Sequence, residues 1–178
     1  MSFSFAKATK GLVAGGIAVM IAANGFAANQ GTTGATSEGD LTINLTVLDE
    51  VRISGLEDIT LGTFAGLDLT GSSAACVYRS GTGDYEITAE GDGAANAFTL
   101  SDGTNTVAYT VDYDDGTGAS AMTSGTALTG QTGGDPGSDT CATTGDNGTI
   151  DVEILATDMA SLPAGAYTGV LTLTVAPE

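Results

Sequence analysis

Asp112, Asp114 and Asp115 stand together just before Gly116. Carboxylate oxygens gathered in this way are the ligands that Ca²⁺ prefers. The run D-Y-D-D-G nevertheless lacks the D-x-[DN]-x-[DN]-G spacing and the downstream bidentate Glu of a calcium loop. Asp92 and Asp102 fall in turn-rich stretches, and with 22 acids in the chain such neighbours arise without a site. No metal and no cofactor are expected. Catalysis has little to work with: the chain has no His, and its only lysines are Lys7 and Lys10. The usual acid and base for neutral pH are therefore missing. No G-x-S-x-G occurs. A carboxylate pair could serve glycoside hydrolysis, but such sites use aromatic platforms and the chain has no Trp. No enzyme is expected. Asn44-Leu45-Thr46 and Asn147-Gly148-Thr149 match the glycosylation sequon, and Leu162-Pro163-Ala164-Gly165 reads as a turn before the last strand.

Residues 1–27 read as a signal peptide. Lys7 and Lys10 precede an apolar run from Gly11 to Ala23, and Gly25-Phe26-Ala27 supplies small residues before a cleavage point. The run is shorter than the roughly 20 residues of a membrane span. The expected product, from residue 28 on, is exported and not inserted in a membrane. It keeps only Arg52 and Arg79 against all 22 acids. A surface so charged repels nucleic acid and anionic lipid. In an oxidising compartment Cys76 and Cys141 are expected to form a disulfide, because neither a C-x-x-C spacing nor His stands near them.

The elements that must carry these residues follow a period of two. Leu41, Ile43, Leu45 and Val47 share one face of the segment L-T-I-N-L-T-V, and Tyr167, Leu171, Leu173 and Val175 share one face of the last segment. Between them, strand patterns occupy 51–53, 59–64, 76–79, 85–89, 97–100, 107–113 and 150–155, with a hairpin signal at 101–106. The Gly-rich stretch 114–149 is long for a structureless loop. A short strand near Ala127–Leu128 and anchoring through Cys141 would make it tolerable. Only 157–162 could form a helical turn. This pattern predicts an all-β, antiparallel sandwich of immunoglobulin type. The last strand has an apolar edge that needs a partner.

The order of these motifs resembles the chaperone–usher pilus subunits, archaic pilins and proteins similar to spore coat protein U in particular. The residues that carry the resemblance are G-D-L-T-I-N-L-T-V-L after a polar leader, L-E-D-I-T-L-G-T-F, C-V-Y-R-S-G-T-G-D-Y-E-I-T-A-E-G-D-G, T-V-A-Y-T-V-D-Y-D-D and A-G-A-Y-T-G-V-L-T-L-T-V. The resemblance implies an immunoglobulin-like sandwich lacking one strand. A periplasmic chaperone fills the gap in transit through an outer-membrane usher, and the leader strand of the next subunit fills it in the fibre. Residues 28–47 would then be the leader and donor strand, with Leu41, Ile43, Leu45 and Val47 as donor side chains. Residues 48–178 would form the pilin domain, with Tyr167, Leu171, Leu173 and Val175 bordering the acceptor groove. Neighbouring copies would be the partners, and an extracellular fibre supporting adhesion or biofilm the location and role. The competing expectation is a self-complete sandwich, serving as a secreted coat or matrix component or as a Ca²⁺- or carbohydrate-binding module.

Overall fold

The computed structural model describes residues 28–178, which divide between two units meeting at Thr46 and Val47. The signal-peptide reading of 1–27 lies outside the described residues. In the first unit, Asn29 and Asp40 form an antiparallel bridge with backbone hydrogen bonds of 2.9 and 3.1 Å, closing a polar loop. The segment after it, expected as a strand, carries no strand assignment. A strand exists by pairing its backbone groups, and residues 41–46 have no ladder partner among the described residues.

The second unit is all-β apart from single helical turns. Its strands are β1 (Val51–Ser54), β2 (Leu69–Arg79), β3 (Tyr85–Gly91), β4 (Thr99–Ser101), β5 (Thr106–Ala108), β6 (Thr110–Asp114), β7 (Ser120–Ala121), β8 (Leu128–Gln131), β9 (Gly148–Ile154) and β10 (Leu171–Pro177). One sheet runs β1-β2-β9-β6-β7, a second β10-β3-β8, and β4-β5 form a separate hairpin. Every ladder is antiparallel. The alternation read in the sequence becomes burial. Tyr85, Ile87 and Ala89 of β3 face Val111 and Tyr113 of β6 and Ile150, Val152 and Ile154 of β9 across one core. Glu86, Asp151 and Glu153 point away from it.

Three strand readings need correction. Residues 59–64 form no strand. Instead Ile59 and Leu61 lie over Gly71 of β2, where an added Cβ would stand 2.6 Å from Ile59 Cγ2. The strand at 76–79 is the end of a much longer β2 whose first half, L-T-G-S-S-A-A, lacks the bulky residues that mark strands. The run 107–113 divides at Tyr109, so that β5 completes a hairpin while β6 joins the large sheet.

The Gly-rich stretch is held rather than loose. Asp135 N donates to Val77 O and Arg79 N donates to Asp135 O, and Cys141 is bonded to Cys76 of the same strand. The loop so closed spans a sequence separation of 65 residues, which stabilises by about 4 kcal/mol in the chain-entropy account. β8 and a helical turn α1 (Ala156–Met159) fall close to their expected places.

Candidate functional site

The candidate site is a cleft on one side of the sandwich where a strand could be added. β10 is an edge strand: it pairs with β3 along its whole length, and no other strand pairs with it among the described residues. β1, the edge of the other sheet, approaches β10 within 8 Å between Cα atoms yet shares no ladder with it. Between the sheets lies a cavity of about 590 Å³. Its floor is Tyr109, Ile150 and Val152, one wall is Leu171 and Leu173 of β10, and the other is Leu56, Ile59 and Leu61. Glu57 N donates to Ser73 Oγ at 2.9 Å and moors that second wall to β2. Half-buried aliphatics along an unpaired edge are what an incoming β-strand requires: side-chain sites at a period of two beside free backbone groups.

Of the expected acceptor residues, Leu171, Leu173 and Val175 lie on β10 and pack against the core while remaining partly exposed. Tyr167 also packs on the core, but it precedes β10 and lines a neighbouring cavity with Phe64, Met159 and Leu162. Its hydroxyl donates to Pro163 O at 3.1 Å. Sequence alternation places Tyr167 in step with Leu171, whereas the chain is diverted at Thr168 by its bridge to Ser101. The expected donor residues are the most exposed large aliphatics of the chain region before β1: Leu41 70 %, Ile43 87 %, Leu45 86 % and Val47 78 %.

Where the second unit begins, residues 48–50 are fixed to the end of β2. Ser80 N donates to Glu50 O at 2.8 Å, Glu50 N donates to Ser80 Oγ at 2.6 Å, and Ser80 Oγ donates to Leu48 O at 3.2 Å. These bonds continue the β1–β2 register by one pair beyond Val51 and Arg79. Arg79, its side chain only 5 % exposed, donates through Nη2 to Asp49 Oδ2 at 2.6 Å and to Glu178 O at 3.0 Å. The guanidinium holds the Asp49 carboxyl below its usual range. Gly83 leaves the room that Arg79 fills, since a Cβ there would stand 2.5 Å from Nη2. Nothing in the local sequence marks this arrangement, because an Arg among so many acids has many conceivable partners.

The acidic run is spent on turns. Asp114 Oδ1 accepts from Gly116 N and Gly118 N. Asp115 is buried and accepts from Thr117 and Thr132, and these bonds lower its pKa against the opposing effect of burial. Asp112 lies on β6 opposite Asp151. Asp102 Oδ1 accepts from Thr104 N and Asn105 N and closes the β4–β5 turn. Among the described residues no three acidic groups converge as a metal would need. Asn147 of the second sequon is engaged through both ends of its amide by the protein itself.

No family model matches this chain, and no curated protein matches it. The fold does have solved counterparts. A chain from a chaperone–tip adhesin complex, described as vital for synergistic activation of CFA/I fimbriae biogenesis, superposes with a TM-score of 0.50 at 17 % identity over 73 % of this chain. A variant of the CFA/I adhesin CfaE of enterotoxigenic E. coli superposes with a TM-score of 0.47 at 18 % identity over 72 % of this chain. The chain spans under half of either counterpart, 41 % and 43 %. At such identity the first likeness shows the sandwich fold alone.

Proposed function

We propose that the chain is a structural subunit of an extracellular fibre, joined when residues 41–47 of one copy enter the cleft beside β10 of the next. One observation carries this reading. A single chain holds both an exposed segment alternating Leu41, Ile43, Leu45 and Val47 and an apolar cleft bordered by an unpaired edge strand. Each half is a liability alone, and each removes the other's. Burying four aliphatics at about 1.5–3 kcal/mol each gives about 6–12 kcal/mol as a gross upper bound, and main-chain pairing adds to it. Thr42, Asn44 and Thr46 would face outward.

The likeness to a chain of a chaperone–adhesin complex supports a role in a pilus that uses a periplasmic chaperone. In this reading the signal peptide directs export, the chaperone covers the cleft in transit, an usher passes the subunit outward, and no chemistry is asked of the protein. The test is a pair of charge insertions in the full chain, Ile43→Asp in the entering segment and Leu173→Asp in the cleft wall. Each alone is expected to stop polymer growth. Mixed, the two are expected to give dimers through their one intact pairing. Normal polymers from either single variant contradict the proposal.

A further inference from the structure

Any protein that carries both a strand and the cleft it fits must keep the two from meeting within one molecule. We infer that Arg79 and Ser80 act as positioning residues that deny residues 41–47 their own cleft and so direct them to a second copy; this rests on the strand-exchange reading above.

Reach and direction decide which cleft the segment can enter. Val51 faces Arg79 across the β1–β2 ladder. Arg79 reaches Glu178, next to the last residue of β10. The entry to β1 therefore lies at the C-terminal end of β10. An entering strand that ran antiparallel to β10 would place Val47 at the far end, beside Leu171. Seven residues of strand span about 20 Å. The four steps from Val47 to Val51 cover at most about 14 Å. The chain's own segment cannot adopt that orientation.

The parallel orientation would be in reach, but only as a tight hairpin with its turn at Leu48, Asp49 and Glu50. Those residues are the ones that are clamped. Leu48 O and both backbone groups of Glu50 are bound by Ser80, and the Asp49 carboxylate by Arg79. Glu50 thus continues β1 by one pair, and Leu48 and Asp49 are held against the end of β2. Turning them would break their hydrogen bonds to Ser80 and Arg79 and leave a buried guanidinium without its counter-charge, which is costly. A tethered segment otherwise has an effective concentration in the millimolar range, far above that of a second copy in solution, so without a clamp self-capping would win.

The test uses the full chain at micromolar concentration, comparing the parent with Asp49→Asn/Ser80→Ala. The parent is expected to polymerise. The variant is expected to lose polymer at least about tenfold and to become a folded monomer whose amides at 41–47 are protected from hydrogen exchange. A second variant keeps the clamp but inserts ten flexible Gly/Ser residues between Val47 and Leu48. It too is expected to be a self-capped monomer, since the antiparallel orientation comes within reach. Polymer at the parental level in either variant overturns the inference, as does a monomer whose 41–47 amides exchange freely. A parent that fails to polymerise, by contrast, counts against the strand-exchange reading itself.

Discussion

Asn147 holds Val77 by both of its backbone polar groups: Val77 N donates to Asn147 Oδ1, and Asn147 Nδ2 donates to Val77 O, each at 2.8 Å. β9 pairs with β2 only as far as Gly148 and Ala75, so the side chain of Asn147 extends the ladder where the backbone has left it. This is why the second sequon is not free for sugar. Removing the amide strands the Val77 N–H at a fully buried residue. Asn147→Ala is expected to lower stability by about 1–3 kcal/mol, measured by urea unfolding. Asn147→Asp keeps the acceptor but sets a carboxylate oxygen against Val77 O and Gly133 O, and is expected to destabilise as well.

Gly71 sets the position of the cleft wall. With no Cβ it lets Ile59 and Leu61 lie directly on β2, the closest approaches being 2.6 and 3.0 Å to the place a Cβ would take. Gly71→Ala must push these side chains toward the cleft. A loss of about 1 kcal/mol is expected, the low end of overpacking costs because methyl groups are displaced rather than backbone. Assembly should slow more than stability falls, seen as a longer time to polymer at equal folded concentration.

Acid should loosen the β4–β5 turn at a pH well below ordinary carboxylate titration. The Asn105 side chain, then the main-chain N–H groups of Asn105 and Thr104, hold Asp102 at about 2. A carboxyl depressed on folding adds stability above its unfolded value of 3.8, and that contribution is lost as pH falls through the folded one. The amide resonances of Thr104 and Asn105 are therefore expected to shift with a midpoint near 2 and to be unresponsive there in Asp102→Asn. A midpoint near 3.8 would contradict the account of this turn.

The inward faces of β3, β6 and β9 were legible because Tyr85, Ile87, Val111, Tyr113, Ile150, Val152 and Ile154 alternate with polar residues, and alternation is how half-buried strands reveal themselves. The first half of β2 was not, since Gly71, Ser72, Ser73 and Ala74 owe their strand to the ladder with β9 rather than to their own side chains. The reverse holds at 59–64. Its alternation is real, but Ile59 and Leu61 answer to packing over Gly71 instead of a ladder. One wall of the cleft, Leu171 and Leu173, was visible as a periodic face. The opposite wall and the clamp of Arg79 and Ser80 were not, because they depend on which segments the fold brings together. Cys76 and Cys141 were paired correctly for a simple reason: there were only two.

The most direct test of the central claim is the size of the chain from residue 28 on beside a version lacking residues 28–47, by gel filtration and by SDS gel without boiling. Strand exchange predicts heat-sensitive ladders from the full-length protein and none from the truncation, which keeps a cleft but has no donor strand to pass on. A stable full-length monomer that unfolds on truncation would contradict it, since residues 41–47 would then belong to their own sandwich.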